Sequence, residues 1–368
     1  MWVAFRRIAP FVLFGALPVA VMVVAGVLAE HRGSLGNDFR LEFYPEAKLV
    51  LHGTNPFPAG DGGGPTAIFP VPAAVLVAPL TLLPVGAAVM VDAAVLVILL
   101  AVTLWALGVK DWRLYGLLLL WGPALAAVET GNVTIPLALL VALAWRYRDR
   151  TYAPGLLLGA AIAIKLFLWP LLIWLLATRR FRAAGAGAVL GIAGGFLLVL
   201  PFTSLTAYLH LLDELTTVFA AQSYTVSGAL LQAHVASLQT ALLAGDAVGL
   251  AVLALAYARR SLPLALGSAL LLSPIVWTHY FVLLAIPLAI RRPALSAAWF
   301  IPLVMWFTPG TSADVRLRDQ LVGLAVLAAV TALAEWLPHE ERRAAHLRLS
   351  AGQTSPLRTD RALPSPGR

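Results

Sequence analysis

Long apolar runs recur from one end of this 368-residue chain to the other and limit its possible folds more than any other feature. Most of them are about 15 to 25 residues long, the length that a helix needs to cross a bilayer. Lipid cannot satisfy backbone polar groups, so a spanning segment must be a helix or a strand of a closed barrel. These runs are too long and too uniformly apolar for barrel strands. The sequence therefore predicts an all-α polytopic membrane protein of about 10–12 membrane helices, short or re-entrant ones included.

The charged residues support this interpretation and exclude some functions. Only 12% of the residues are charged, and the net charge of +8 comes from arginines clustered at the ends of apolar runs. The positive-inside rule accounts for such clusters, so we expect no nucleic-acid partner. The chain has no cysteine, which excludes disulfides and thiolate metal sites.

Placing the basic tracts in the cytoplasm gives a consistent topology in a bacterial plasma membrane, with both termini cytoplasmic. The tracts are Arg6-Arg7, Lys110 with Arg113, Arg146 to Arg150, Arg179 to Arg182, Arg259-Arg260, Arg291-Arg292 and the tail after Glu335. The outer segments then fall at about residues 30–85, 129–132, 165–170, 204–245, 273–279 and 308–318. Most of the remaining ionisable residues lie in these outer segments: Asp38, Glu129, Lys165, His210, Asp213, His234 and His279.

We expect one transmembrane domain over residues 1–338, with a retained first span from Ile8 to Ala29. The first outer loop, 30–85, contains a proline-rich apolar stretch from Ile68 to Leu83, which predicts an interfacial or re-entrant helix. Residues 204–245 form a second large outer segment. Residues 339–368 are rich in Arg, Ser and Pro and predict a disordered basic cytoplasmic tail.

Two outward excursions are unusually short. Arg150–Arg179 and Arg260–Arg291 each leave about 14 residues per arm, or about 21 Å of helix against a hydrocarbon core of about 30 Å. Their apices, Lys165–Pro170 and Ser273–His279, should therefore lie in a sunken outer cavity, and each apex has a proline that breaks the helix. The alternative is one long span per excursion, with a basic tract outside.

Two residues in these outer segments have the chemistry of a catalytic or binding site. Asp38 follows the first span and could act as a general base for a hydroxyl nucleophile; the alternative is a solvated loop acid, and Glu42 and Glu46 are rival acids. Lys165 is flanked by apolar residues, and as a point charge it suits a phosphate. Its alternative is snorkelling to the interface beside Trp169.

Two further places are polar enough to bind a substrate. His279 could donate a hydrogen bond to a phosphate or a sugar hydroxyl, or it could be an interfacial aromatic-belt residue. The turn Glu129-Thr130-Gly131-Asn132 could line a site or simply connect two spans. We find no P-loop, Rossmann glycine fingerprint or His-Glu-x-x-His motif, and no Asp-x-Asp pair that would support a metal-held nucleotide-sugar donor.

Several motifs, taken in order, resemble glycosyltransferase family 87, whose members are GT-C-fold, polyprenol-phosphate-mannose-dependent mannosyltransferases of actinobacteria. The segments that carry the resemblance are Asp38 to Arg40, Tyr44 to Ala47, Leu51 to Phe57, Phe69 to Pro72 with Ala78 to Leu80, Gly131 to Val133, Ala163 to Pro170 and Leu272 to Tyr280. They span most of residues 30–310. Val71 interrupts the paired prolines of the family's aromatic-Pro-Pro segment.

The resemblance implies a GT-C-type bundle that moves a sugar, mannose by analogy, from a polyprenyl-phosphate carrier to a periplasmic glycolipid or lipoglycan acceptor. In this picture Asp38 is the catalytic base, and Lys165 and His279 contact the carrier phosphate or donor sugar. The other substrate-binding candidates are Asn132, Glu129, Asn55 and Trp277. A single inverting displacement of a phosphate leaving group demands neither a metal ion nor a cofactor.

Other functions remain open at this stage. A transporter or flippase for a lipid-linked saccharide would fit the architecture, although no repeated halves are evident. The chain could also be an inactive relative that serves as an assembly partner, or it could transfer arabinofuranose instead of mannose. The sequence leaves the sugar, the linkage, the acceptor and the oligomeric state undetermined.

Overall fold

The fold is helical throughout the described part of the chain, which in this computed structural model comprises residues 8–57, 69–309 and 315–336. The first helices are α1 (Ile8–His31), α2 (37–51), α3 (Val71–Leu82), α4 (Val85–Ala106), α5 (Trp112–Leu119), α6 (Gly122–Thr130), α7 (Thr134–Arg146) and α8 (Ala153–Ile164). They are followed by α9 (Leu166–Ala177), α10 (Phe181–Leu197), α11 (Leu205–Phe219), α12 (Val226–Gln232), α13 (Leu238–Arg259), α14 (Leu262–Leu272), α15 (Thr278–Arg291), α16 (Ala297–Phe307) and α17 (Leu317–Trp336). The all-α prediction is confirmed.

Within the described ranges, four helices are long and apolar enough to cross a membrane: α1, α4, α13 and α17. A fifth crossing is possible through α6 and α7, which are bent by 118° at the turn between them. Seven further apolar helices are shorter. The polytopic membrane fold is therefore confirmed, whereas the number of crossings stays a prediction. The tail 339–368 lies outside the described residues.

Helix α1 lies on the outside of the bundle. Its valine side chains Val19, Val23 and Val27 are exposed, and only 6% of its most apolar stretch is buried against the rest of the protein. A helix that exposes apolar side chains in this way is stable only against lipid or another membrane helix. This supports the prediction of a first membrane span.

Glycines bring α8 and α10 into backbone contact. Gly155 and Gly159 lie four residues apart on α8, and they face Gly187 and Gly191 on α10. A Cβ atom on Gly155 would overlap the carbonyl oxygen of Ala183, so only glycine fits there. Such small-x-x-x-small pairs let membrane helices approach closely. The sequence analysis did not recognise this pair of motifs.

Both short excursions are broken where the sequence predicted. Helix α8 ends at Ile164, Lys165 is extended (φ −153°, ψ 108°), and the chain re-enters a helix at Leu166. Helix α14 ends at Leu272, and irregular backbone continues to Thr278. Each break exposes polar backbone and side chains at the end of an apolar helix, which in a membrane requires a protein-lined cavity.

The first outer segment contains more helix than the sequence indicated. The proline-rich stretch is helical from Val71 to Leu82, as predicted. Asp38, however, lies in the first turn of α2 and not in a loop, and a π-helical turn follows it at Phe39–Phe43. Phe39 and Phe43 are fully buried and hold α2 against the bundle. The Asp38 side chain is therefore carried by a packed helix.

Candidate active site

One cavity of about 470 Å³ collects the ends of several elements, and we refer to it as the main cavity. It is lined by α2, the start of the α3 segment, helix α11 and the two breaks after α8 and α14. Its charged lining residues are Asp38, Glu42 and Lys165. Most of the remaining lining is aromatic or aliphatic, which is typical of a small-molecule site with a few convergent polar groups.

Asn132 fixes the position of the Asp38 carboxylate. The Asn132 side-chain amide donates a hydrogen bond to Asp38 Oδ2 over 2.7 Å. Asn132 Oδ1 accepts from the backbone nitrogen of Thr134 at 3.0 Å and from its hydroxyl at 2.6 Å. Because the backbone N–H can only donate, it fixes Oδ1 on this side, and the NH₂ end of the amide must face Asp38. The turn between α6 and α7 thus reaches a carboxylate 94 residues earlier in the chain.

Gly131 allows this turn to pack directly on α2. Its φ of +70° is a left-handed conformation, which glycine adopts without strain. A Cβ atom at this position would lie 2.7 Å from Phe39 Cβ and 3.0 Å from Asp92 Oδ2. A larger residue would therefore push the turn, and Asn132 with it, away from Asp38.

The acidic residues Asp38, Glu42 and Glu46 are spaced by four along α2 and share one face of the helix. Glu46 is only 1% exposed, and neither carboxyl oxygen has a hydrogen bond within the described residues. Burial, and then the negative charge of Glu42, raise the pKa of Glu46 to about 9. Burial, and then the charge of Asp38, raise the pKa of Glu42 to about 8. At pH 7 both glutamates are therefore mainly neutral.

Asp38 differs from these glutamates in its surroundings. Burial raises its pKa above the ordinary value of 3.8, while the Asn132 hydrogen bond and the positive charge of Lys165 act in the opposite direction. The amide donor favours the ionised carboxylate, and a raised pKa makes that carboxylate a stronger base. Of the three acids, Asp38 is the one with the surroundings of a general base.

Lys165 points its ammonium group into the protein at the first helix break. The residue is 8% exposed, and its Nζ lies 4.8 Å from the ring centre of Phe69 and 4.2 Å from that of Tyr280. No carboxylate of the described residues lies within 4.0 Å of it. Two aromatic rings hold the cation, which leaves it available to an anionic ligand. This position differs from that of a lysine snorkelling along a lipid-facing surface.

The other substrate-binding candidates differ in whether they line the main cavity. Trp277 lines the main cavity and packs edge-on against Phe219, with ring centres 5.7 Å apart. His279 is buried and does not line the cavity. Its ring centre lies 5.0 Å from that of Tyr280, and Tyr280 is one of the lining residues. His279 Nε2 has no hydrogen-bond partner among the described residues. His279 therefore lies next to a residue that lines the cavity without lining it itself.

Glu129 and Asn55 have structural hydrogen-bond partners outside the cavity lining. Glu129 accepts a hydrogen bond from the Ser34 hydroxyl at 2.9 Å, which joins the α6–α7 turn to the end of α1. Asn55 Oδ1 accepts from the backbone nitrogen of Phe57 at 3.0 Å and closes a turn. The geometry thus brings Asp38, Asn132, Lys165 and Trp277 together, and it leaves Glu129 and Asn55 apart from them.

Helix α11 covers the main cavity, which the sequence analysis did not anticipate. One face of the helix lines the cavity with Tyr208, Leu212, Leu215, Thr216 and Phe219. The opposite face carries His210, Asp213 and Glu214, which are exposed. The apolar spacing of three and four residues was the signal for an amphipathic helix. The outer segment 204–245 therefore supplies a wall of the site.

Among the described residues, no three His, Asp or Glu side chains come together as a possible metal site. Asp38 and Glu42 are the acids that line the main cavity. The expectation that the reaction needs no metal stays a prediction, because it was based on the chemistry of a phosphate leaving group.

Comparison with known families identifies the chain. The profile of glycosyltransferase family 87 matches residues 67–287, more than half of the sequence. The chain belongs to this family. It is accordingly a membrane glycosyltransferase. No curated protein and no solved structure matches it.

The family match covers the α6–α7 turn and both helix breaks, and therefore includes Asn132, Lys165, Trp277 and His279. It begins after α2, so the part played by Asp38 depends on the geometry of the cavity and on the resemblance of the first outer segment.

Proposed function

We propose that the protein transfers a hexose, mannose by analogy with its family, from a polyprenyl-phosphate carrier to a glycolipid or lipoglycan acceptor on the periplasmic side of a bacterial plasma membrane. Family membership supports the sugar transfer itself. The carrier, the sugar, the acceptor and the sidedness are parts of the proposal.

One observation carries the proposal: a carboxylate held by Asn132 and a cation without a counter-ion contact line the same largely apolar cavity. A displacement at the anomeric carbon needs a base on one side of the sugar ring and a stabilised leaving group on the other. Asp38 and Lys165 line the same cavity without forming an ion pair, as an arrangement with the sugar between them requires.

In the proposed reaction, Asp38 accepts the proton of an acceptor hydroxyl. The hydroxyl oxygen forms a bond to the anomeric carbon as the bond from that carbon to the phosphate oxygen breaks. The electron pair leaves with the lipid phosphate, and Lys165 stabilises the charge that develops on it. A single displacement inverts the anomeric configuration.

The lining beside Lys165 suits a lipid carrier. Leu166, Phe167 and Trp169 follow Lys165 and line the cavity, and Trp169 is exposed at its edge. A donor with a long isoprenoid tail could keep the tail in lipid while its phosphate reaches the ammonium group. Tryptophan is the residue favoured where an apolar region meets a polar one.

Transfer assays test the proposal directly. Membranes that contain the protein are incubated with radiolabelled polyprenyl-phosphate mannose or polyprenyl-phosphate arabinofuranose, and the glycolipid products are analysed. We expect label from the mannose donor in a glycolipid, and at least about a hundredfold less of it in membranes that contain Asp38→Asn. Transfer from the arabinofuranose donor alone would show that the transferred sugar is arabinofuranose and not mannose. Transfer from a nucleotide sugar but from neither lipid donor would contradict the proposed carrier.

The sidedness is tested with single cysteines, because the chain has none of its own. Asp213 is exposed on α11, on the predicted outer side, whereas the side chain of Asp149 is 77% exposed between α7 and α8, on the predicted inner side. In right-side-out vesicles, Asp213→Cys should react with a membrane-impermeant maleimide and Asp149→Cys should not. The reverse labelling pattern would place the main cavity on the cytoplasmic side.

A further inference from the structure

A second pocket, of about 260 Å³, adjoins the main cavity, and we refer to it as the side pocket. Four residues line both spaces: Thr216, Leu272, Ser273 and Pro274. The far wall of the side pocket includes Ser227 on α12 and Gly245 and Asp246 on α13. A ligand that extends past the Ser273–Pro274 wall could therefore occupy both spaces.

Asp246 is an unusual residue for this position. It lies eight residues after Leu238 in α13, or about 12 Å along a helix that is apolar enough to span the membrane. It has no hydrogen bond or ion pair within the described residues. An unpaired carboxylate in a membrane-spanning segment is costly, and such residues usually face a cavity and serve a function. Here Asp246 is exposed and is one of the residues that line the side pocket.

Two of the three hydroxyl groups of the side pocket are already used as donors to backbone carbonyl groups, and the third, that of Ser227, pairs with the Thr225 hydroxyl at 2.9 Å. Thr216 donates to the carbonyl oxygen of Leu212 at 2.9 Å, and Ser273 donates to that of Ile275 at 2.7 Å. The hydroxyl oxygens of Thr216 and Ser273 therefore offer only their lone pairs to a ligand. Together with the Asp246 carboxylate, they form a set of hydrogen-bond acceptors.

This chemistry disfavours anions and suits a ligand rich in hydrogen-bond donors. The described lining of the side pocket contains no lysine, arginine or histidine, so a phosphate or another anion would meet no cationic side chain there. A saccharide supplies several hydroxyl donors, which an acceptor-lined pocket can bind. The apolar members Leu242 and Leu271 offer a surface for the C–H face of a sugar ring.

We propose that the side pocket binds the glycan part of the acceptor, with Asp246 accepting hydrogen bonds from its hydroxyl groups. This inference rests on the proposed function, since the acceptor must also present a hydroxyl to Asp38 in the main cavity. Thr216 and Ser273 form the boundary between the two spaces, and the acceptor chain crosses that boundary.

The test uses octyl α-mannoside as the acceptor probe and the full chain in lipid nanodiscs. Asp246→Ala removes a hydrogen bond to a charged group. The Kd and the KM for octyl α-mannoside should therefore rise about ten- to a hundredfold, while the KM for the donor stays unchanged. Asp246→Asn, which retains one acceptor oxygen, should show a smaller loss. Asp213→Ala, on the exposed face of α11, is the matched control and should bind like wild type.

Folding does not confound this comparison, since Asp246 has no partner in the described structure to lose. Its replacement should leave the unfolding temperature unchanged or raise it. Wild-type affinity in Asp246→Ala, a rise in the donor KM alone, or no binding of the mannoside by wild type would each overturn the inference. Binding that depends on Asp246 without any transfer by wild type would support the side pocket and count against the proposed function.

Discussion

Asp38→Asn should reduce the rate of sugar transfer by about 10²- to 10⁴-fold, the usual cost of losing a general base. The substitution preserves the size of the side chain but removes its ability to accept a proton. The Asn132 hydrogen bond shows that the carboxylate is held in place before any substrate binds. The rate is measured with saturating lipid-phosphate donor in membranes or nanodiscs.

Glu42→Gln and Glu46→Gln are the matched controls on the same helix. Their raised pKa values, about 8 and about 9, keep both side chains mainly neutral at pH 7. A glutamine therefore resembles the form already present, and each change should cost far less than Asp38→Asn. Near wild-type transfer in Asp38→Asn would refute the base assignment. Equal losses in all three variants would also contradict the assignment, because no single acid would then act as the proton acceptor.

Lys165→Gln should raise the donor KM about ten- to a hundredfold, because a hydrogen bond to a charged group contributes about 1.5–3 kcal/mol. Lys165→Arg keeps the charge, but its larger guanidinium must fit between the rings of Phe69 and Tyr280. It should therefore retain more activity than Lys165→Gln and less than wild type.

His279→Ala should have a smaller effect on the donor KM than Lys165→Gln, since His279 contacts Tyr280 and does not line the main cavity.

The pH profile separates this role of Lys165 from a purely structural one. The positive charge of Lys165 lowers the pKa of Asp38. Its removal should raise that pKa, so the acidic limb of the activity profile should move to higher pH in Lys165→Gln and stay in place in Lys165→Arg. A lysine that only fills space would leave the acidic limb unchanged in both variants, and such a result would contradict electrostatic coupling of the two residues.

The sequence was sufficient to predict where the helices break. The short spacing between basic tracts, together with a proline in each apex, indicated breaks near Lys165 and Ser273, and the structure has both. These features are local, because they depend on hydropathy and on the backbone limits of proline. The Gly131-Asn132 turn was also evident as a polar interruption between two apolar runs.

The sequence was not sufficient to rank the acids near the first span. Asp38, Glu42 and Glu46 share one segment, and their differences come from partners that are distant in the chain. Asn132 donates to Asp38, whereas the carboxyl oxygens of Glu46 have no hydrogen bond among the described residues. Hydropathy patterns do not encode such pairings, since they depend on how helices pack.

The sequence alone determined the all-helical membrane architecture, because a bilayer leaves a long apolar chain no other means of satisfying its backbone hydrogen bonds. Tertiary structure decided which polar side chains share a cavity. It brought Asp38, Asn132 and Lys165 together from three segments, placed His279 against Tyr280 outside the cavity lining and turned Glu129 toward Ser34. Helix α11 became the cover of the main cavity in the same way. The direction of a side chain is set by the packing of its helix against the others, which spacing along the chain does not specify.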